Sequence, residues 1–122
     1  MTDDESRLRL ADYLSHMLEA VRLAREYVAG ILKDDFLKDR RTQQAVVLNL
    51  ITIGEAASRI VTEHKRFATA HPEIPWAQMR GMRNRMAHGY FDIDLSIVWD
   101  TVQYSLPELE RQLGVVDSQS AS

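Results

Sequence analysis

Apolar residues in the first thirty positions recur in alternating steps of four and three. They run from just after Arg7 to about Ile31, with charged and polar side chains between them. The stripe consists of Leu10, Leu14, Met17, Val21, Ala24, Val28 and Ile31. Because this spacing places them all on one side of a helix, it predicts a long amphipathic first helix over residues 7–31.

A second stripe follows a polar interruption from Lys33 to Arg41 and predicts a helix from Thr42 to Glu63. Its members are Val47, Leu50, Gly54, Ala57 and Val61. Glycine inside a helix costs about 1 kcal/mol relative to alanine. The place of Gly54 on the packing stripe therefore suggests that it allows a neighbouring helix, or a second subunit, to approach closely.

The segment from His64 to Pro75 contains two of the three prolines and predicts a loop in which His64 and His71 are exposed. Proline suits the first turn of a helix, where its missing N–H is not needed. We therefore expect a third helix from about Pro75 to His88.

The last apolar stripe begins at Leu95, directly after Asp94, which can cap a helix. Pro107 falls inside this stripe and should kink or interrupt it. The sequence from Ser105 to Glu108 fits a capping box, S-x-x-E, so the pattern favours a helix that restarts there.

These elements predict an all-α protein, an up-and-down four-helix bundle with short extra helical turns. The sequence holds no strand-like alternation of useful length. The helical domain should span residues 1–115. Residues 116–122 are mostly small and polar, and we expect them to form a disordered tail.

The composition narrows the class of protein. A length of 122 residues suits one domain with a single core, and the absence of cysteine excludes a disulfide framework and thiolate metal sites. No apolar run approaches about 18 residues and the start, MTDDES, is acidic, so we expect a cytoplasmic protein without a membrane span or secretion signal. The net charge of −3 argues against general affinity for nucleic acid, so any RNA contact should be local.

Residues 79–91, MRGMRNRMAHGYF, are a basic exception within this acidic chain. They contain Arg80, Arg83 and Arg85, and no acidic residue occurs between Glu73 and Asp92. Histidine exchanges a proton near neutral pH, and arginine offers a permanent cation with forked donors for phosphate. Together these side chains could cleave a phosphodiester without a metal or a cofactor.

The spacing of these residues also predicts the directions in which their side chains leave a helix. On a helix, Arg83 and His88 would point about 140° apart, whereas Asn84 and His88 would share a face. Gly89 should end the helix, which places His88 in the last turn. The alternative to a catalytic role is that the arginines form an ordinary solvent-exposed helix face and that His88 only caps the end of the helix.

The pattern Arg83-Asn84-x3-His88-x-Tyr90 resembles the R-x4-6-H signature of the HEPN superfamily, in the RNxxxHxY form of HepT-like toxins from bacterial and archaeal toxin–antitoxin pairs. The resemblance covers roughly residues 7–113. Further matching positions are Ile53-Gly54-Glu55-Ala56, Trp76, Gly81-Met82, Ile93-Asp94, Val98-Trp99 and Leu106-Pro107.

The resemblance implies a HEPN fold and a homodimer in which the two motif helices meet. Arg83 and His88 of both subunits would then form a composite RNA site, with Asn84 as its third catalytic residue. Glu55 and Arg80 would support this site. Glu55 could instead be a plain surface carboxylate, and the sequence leaves both readings open.

The same resemblance implies a partner, a small nucleotidyltransferase of the MNT type that acts as antitoxin. In that family the tyrosine of the H-x-Y element is a target of adenylylation, and here it is Tyr90. A half-buried packing tyrosine is the alternative. The leading functional hypothesis is a metal-independent endoribonuclease toxin; the second is a non-catalytic helical module that binds a nucleotidyltransferase or a nucleotide.

Overall fold

The computed structural model describes residues 2–89 and 92–121, with side chains as far as residue 117. Within these ranges the chain is helical and contains no strand. The α-helices are α1 (Asp3–Val28), α2 (Lys33–Phe36), α3 (Arg40–Glu63), α4 (Lys65–Ala70), α5 (Trp76–His88), α6 (Leu95–Asp100) and α7 (Leu106–Ala121). A π-helical segment, Thr101–Ser105, joins α6 to α7. The prediction of an all-α bundle is confirmed.

Side chains cap the two longest helices at their first turns. The Thr2 hydroxyl accepts a hydrogen bond from the backbone N–H of Glu5 at 3.2 Å, at the start of α1. At the start of α3, Asp39 accepts from both the hydroxyl and the backbone N–H of Thr42, at 2.6 and 3.1 Å. These two hydrogen bonds lower the pKa of the Asp39 carboxyl, because they favour its charged form.

The core lies between α1, α3 and α7, and α5 covers α3 from another side. Eight residues of α3 are buried within the bundle, among them Leu50, Ile53 and Ile60. By length and composition alone α3 could cross a membrane, but buried core helices pass the same test. Its apolar character is accounted for by the packing that the structure shows.

The segment between His64 and Pro75 is more ordered than the sequence suggested. It contains the short helix α4, and the ring of His64 lies 6.1 Å from that of Tyr13, edge to face. The Nε2 atom of His64 is buried without a hydrogen-bond partner in the described part of the chain, so the prediction of an exposed His64 is wrong. The sequence pattern missed α4 because six residues are too few to establish a helical period.

Asp94 caps α6, as predicted, by accepting from the backbone N–H groups of Ser96 and Ile97 at 2.9 and 3.3 Å. The predicted restart at Ser105 is wrong. The backbone stays helical through the π-helical segment into α7, and the N–H of Leu106 reaches back five residues to the carbonyl of Thr101. This wider turn lies immediately before Pro107, and the chain stays helical across it.

The end of α7 differs from the predicted tail. α7 continues to Ala121, and Val116 is buried against the core, so the chain does not leave the helix at residue 116. Val116 follows Leu109 and Leu113 at helical spacing, and this apolar stripe keeps the segment packed. The boundary of the functional domain at residue 115 stays a prediction.

Gly54 allows α3 and α5 to approach closely. A Cβ atom placed on Gly54 would lie 2.7 Å from the carbonyl oxygen of Met79 and closer still to the Cβ of Arg83. Both neighbours lie in α5, and backbone cannot yield as the end of a flexible side chain can. The glycine on the packing stripe is therefore required by the helix crossing, as its position suggested.

Replacing Gly54 by alanine should force the two helices apart and destabilise the fold. Overpacking of this kind typically costs about 1–3 kcal/mol. Gly114→Ala is the matched control, because a Cβ at Gly114 in α7 would have no contact within 4 Å and should raise stability by up to about 1 kcal/mol. Urea denaturation of both variants measures the difference. Equal stability of Gly54→Ala and the wild type would show that the crossing is not tight.

Candidate active site

The motif lies on α5, which packs antiparallel against α3. Trp76, the first residue of α5, donates its indole N–H to the carbonyls of Ala68 and His71, just beyond the end of α3. Seven residues later, Arg83 lies against Gly54 in the middle of α3. The last turn of α5, with His88, therefore extends toward the first half of α3.

Arg83 is held in place by two neighbouring side chains. Its Nε and a terminal nitrogen lie against one carboxylate oxygen of Glu55, which accepts a hydrogen bond and forms an ion pair. Another terminal nitrogen, Nη1, donates to the Oδ1 of Asn84 at 2.8 Å. The side chain of Arg83 keeps 30% of its exposure, so the guanidinium is oriented but still reachable from solvent.

Glu55 thus faces the motif. Of the two readings that the sequence left open, the structure shows the one in which this carboxylate contacts Arg83. The contact exists because Gly54, next in the chain, brings α5 close enough for the pair to form. The functional part of Glu55 in a reaction stays a prediction.

Asn84 and His88 are both exposed and lie one helical turn apart on α5. The side chain of His88 makes no hydrogen bond or ion pair with another residue in ranges 2–89 and 92–121. Because Arg83 and His88 are five residues apart, their side chains leave the helix in directions about 140° apart. Within one subunit, Asn84 therefore lies between the cation and the imidazole.

Gly89 ends α5 directly after His88. Its N–H donates to the carbonyl of Arg85 at 2.8 Å, and a Cβ on Gly89 would come within 2.8 Å of that same carbonyl oxygen. A larger residue would thus disturb the turn that ends the motif helix. The predicted termination at Gly89 is confirmed.

The other predicted site residues differ in how far the structure describes them. Arg80 is exposed on α5, one turn before Arg83 and Asn84. Tyr90, the predicted modification site, lies outside the described residues. Among the residues that are described, no group of three or more His, Cys, Asp or Glu side chains could hold a metal ion.

A groove of about 530 Å³ separates α5 from the C-terminal helices. On α5 its lining includes Met79, Met82 and Met86, which point away from the side of the helix that carries Asn84 and His88. Sequence reasoning did not single out this groove, because it is formed by residues far apart in the chain.

Comparison with known proteins identifies related sequences. The model of the HepT-like ribonuclease family matches residues 17–116. A protein named probable ribonuclease HepT, from Thermococcus cleftensis, is 42% identical over 81% of this chain and 87% of its own length. A Caldanaerobacter subterraneus protein described as a putative RNase is 38% identical, covering 83% of this chain and 88% of that one. A third relative, from Methanocaldococcus jannaschii and also described as a putative RNase, is 33% identical over 88% of this chain and 83% of its own.

No solved structure matches the chain. The family match spans most of the helical domain and includes the whole motif helix. The chain therefore belongs to the HepT-like ribonuclease family.

The ion pair of Arg83 with Glu55 should make a measurable but modest contribution to stability. Both side chains are partly exposed, so a double-mutant cycle of Glu55→Ala and Arg83→Ala should give a coupling of up to about 1 kcal/mol. The control is the more exposed pair Glu108 and Arg111 in α7, for which a smaller coupling is expected because solvent screens both charges. Urea denaturation supplies the free energies. A coupling of zero between Glu55 and Arg83 would mean that the two side chains are not paired in solution.

Proposed function

We propose that this protein is the toxin component of a HepT/MNT toxin–antitoxin system, a cytoplasmic endoribonuclease that needs no metal ion. One observation carries the proposal: α5 presents a held arginine, Arg83, and an exposed histidine, His88, whose side chain has no partner within residues 2–89 and 92–121. An enzyme that cleaves RNA needs such groups open to solvent. A module that only binds a partner could bury either one, and here His88 and part of Arg83 are accessible.

The chemistry divides between three side chains. His88 removes the proton from a ribose 2′-OH, or protonates the leaving 5′-oxygen, as the general base or acid. The 2′-oxygen then forms a bond to phosphorus while the bond from phosphorus to the 5′-oxygen breaks, and the 5′-oxygen takes up a proton. Arg83 stabilises the charge on the phosphoryl oxygens, and Asn84 orients His88 or the phosphate.

The products follow from this sequence of bonds. One fragment ends in a 2′,3′-cyclic phosphate and the other begins with a 5′-OH. Because the nucleophile is the 2′-OH, DNA is not a substrate. Glu55 keeps Arg83 directed toward the site, and Arg80 adds a second cation one turn away.

A homodimer would complete the site. Arg83 and His88 diverge on one helix, so a phosphate between two facing copies of α5 could meet the arginine of one subunit and the histidine of the other. Dimerisation would also place two acid-free stretches side by side, since α5 contains three arginines and no acid. Concentrating positive charge in this way favours binding of RNA phosphates.

Incubating the unmodified protein with total RNA in EDTA should yield fragments with 2′,3′-cyclic phosphate ends. His88→Ala should lower the rate roughly 100- to 10,000-fold, the usual cost of losing a general acid or base. Arg83→Ala should also be nearly inactive. Arg111→Ala in α7 removes an exposed arginine far along the chain and should cleave like the wild type.

Mixing the two inactive variants tests the composite site. If one site uses Arg83 of one subunit and His88 of the other, heterodimers of Arg83→Ala and His88→Ala regain an intact site, and cleavage returns. A His88→Ala protein as active as the wild type, or cleavage of DNA, would contradict the mechanism. Intact RNA from a dimeric, unmodified sample would favour the binding module.

A nucleotidyltransferase of the MNT type is the proposed neutralising partner, with Tyr90 as the residue that it adenylylates. An adenylate two residues beyond His88 in the chain would add bulk and negative charge near the groups that bind phosphate. Negative charge there would repel the RNA backbone.

Coexpression with such a partner should add the mass of adenylate to the intact protein, and Tyr90→Phe should abolish the addition. Mass spectrometry of the purified toxin measures it. Tyr104→Phe is the matched control, because Tyr104 is a highly exposed tyrosine outside the motif. Loss of the modification in Tyr104→Phe instead would move the site away from the motif, and an unmodified wild type would favour neutralisation by masking.

A further inference from the structure

Charge is distributed unevenly among the helices. α3, α4 and α5 together contain eight arginines and lysines and only two acids, whereas α1 and α7 together contain five arginines and nine acids. Both acids of the basic group are engaged: Glu55 with Arg83, and Glu63 with Arg9 and Arg59. The basic residues of this acidic protein are therefore concentrated in α3, α4 and α5, and the motif lies within that group.

An aromatic cluster joins α4 to the start of α5. The ring of Phe67 lies 4.4 Å from that of His71 and 6.3 Å from that of Trp76. Two hydrogen bonds, 3.2 and 3.0 Å long, fix the indole of Trp76 to the carbonyls of Ala68 and His71. All three rings are half-buried, so each keeps an accessible part.

Two cations, Lys65 and Arg66, directly precede Phe67 in α4. We call these cations and the three rings together the α4–α5 junction (Lys65, Arg66, Phe67, His71 and Trp76). Lys65 and Arg66 are exposed and have no ion pair within residues 2–89 and 92–121. The acid of the adjoining loop, Glu73, lies 3.1 Å from the Nδ1 of His71. Its backbone carbonyl accepts from Gln112, which ties that loop to α7.

The junction is aligned with the motif. Trp76, Arg80 and Arg83 follow the spacing i, i+4 and i+7, so they lie on one side of α5. Seven residues of helix rise about 10 Å, which places the aromatic cluster a short distance along the helix from the proposed reaction centre. A strand bound at Arg83 could therefore continue over Arg80 to the junction.

We infer that the α4–α5 junction is a second binding site for single-stranded RNA, which holds nucleotides adjacent to the cleaved phosphate. Lys65 and Arg66 contact backbone phosphates, and the ring of Phe67, supported by Trp76, stacks against a base. A cationic groove combined with aromatic platforms is the usual way to bind a single strand without reading its sequence. The inference rests on the proposed function, because it names how the same substrate is held.

Binding is tested with a fluorescent single-stranded RNA and full-length His88→Ala protein, which should not consume the probe. Lys65→Ala/Arg66→Ala in this background should weaken binding and reduce the slope of log K against log salt by about 0.7 for each lost phosphate contact. The control is Arg7→Ala/Arg111→Ala, which removes two exposed cations from the acidic helices α1 and α7. It changes the net charge equally and should leave the slope unchanged.

Phe67→Leu separates stacking from charge. It should lower affinity about fivefold or more and keep the salt slope, because stacking a base on an aromatic ring does not involve counterions. Urea denaturation shows whether the variant is folded. Phe67→Tyr keeps an aromatic face and should restore binding, which a purely structural role of Phe67 does not require.

The outcomes distinguish this inference from the proposed function. Suppose that the wild type cleaves RNA, while Lys65→Ala/Arg66→Ala binds RNA as tightly as His88→Ala alone or as the control pair. The second site is then overturned, and the ribonuclease proposal stands. If the wild type does not cleave RNA but the junction variants lose binding as described, the second site stands and the ribonuclease is overturned. A protein that binds no single-stranded RNA at all overturns both.

Discussion

The close crossing of α3 and α5 at Gly54 is the contact on which the candidate site depends. Glycine removes the Cβ that would collide with Arg83 and with the Met79 carbonyl, and the next residue, Glu55, then meets the guanidinium. A single missing methyl group thus sets both the packing of the motif helix and the direction of its arginine. Arg83 therefore belongs both to the helix packing and to the candidate site. Its Cβ and Cγ lie against Gly54 in α3, and its guanidinium contacts Glu55.

The other parts of the site depend on how α5 begins and ends. Trp76 anchors the first residue of α5 to the carbonyls around α4, and Gly89 closes the last turn against the carbonyl of Arg85. Between these two points the helix exposes Asn84 and His88 while Met79 and Met86 are buried. The motif therefore has a rigid support although most of its polar side chains face solvent.

Helix periodicity predicted most of the fold. The stripes of α1 and α3, the cap at Asp94 and the end at Gly89 all depend on neighbours in the sequence, and local rules describe them well. The rules failed where an alternative local solution existed. The S-x-x-E pattern predicts a helix that restarts near Pro107, whereas the structure has a π-helical turn that continues into α7. Nothing in the pattern distinguishes these two conformations. α4 was missed because it is short, and Val116 was assigned to the tail because the residues after it are polar.

The site itself was only partly predictable, because its central contact joins residues 28 positions apart. The sequence could place Glu55 near the packing glycine but could not decide which way its carboxylate points. Likewise, Phe67 and Trp76 come together only when α4 folds back against the start of α5. Motif spacing singled out the candidate site residues, and tertiary packing determines which neighbours hold them.

The separation of basic and acidic helices affects the electrostatic potential that acts on a polyanion near α5. At physiological ionic strength the Debye length is about 8 Å, which is less than the width of one helix with its side chains, about 10–12 Å. α3 lies between α5 and α1, and the groove separates α5 from α7, so a strand lying on α5 is set apart from both acidic helices. Mobile ions screen those acids over that distance, so the strand responds to the nearby arginines far more than to the negative total, and an acidic isoelectric point is compatible with an attractive local potential.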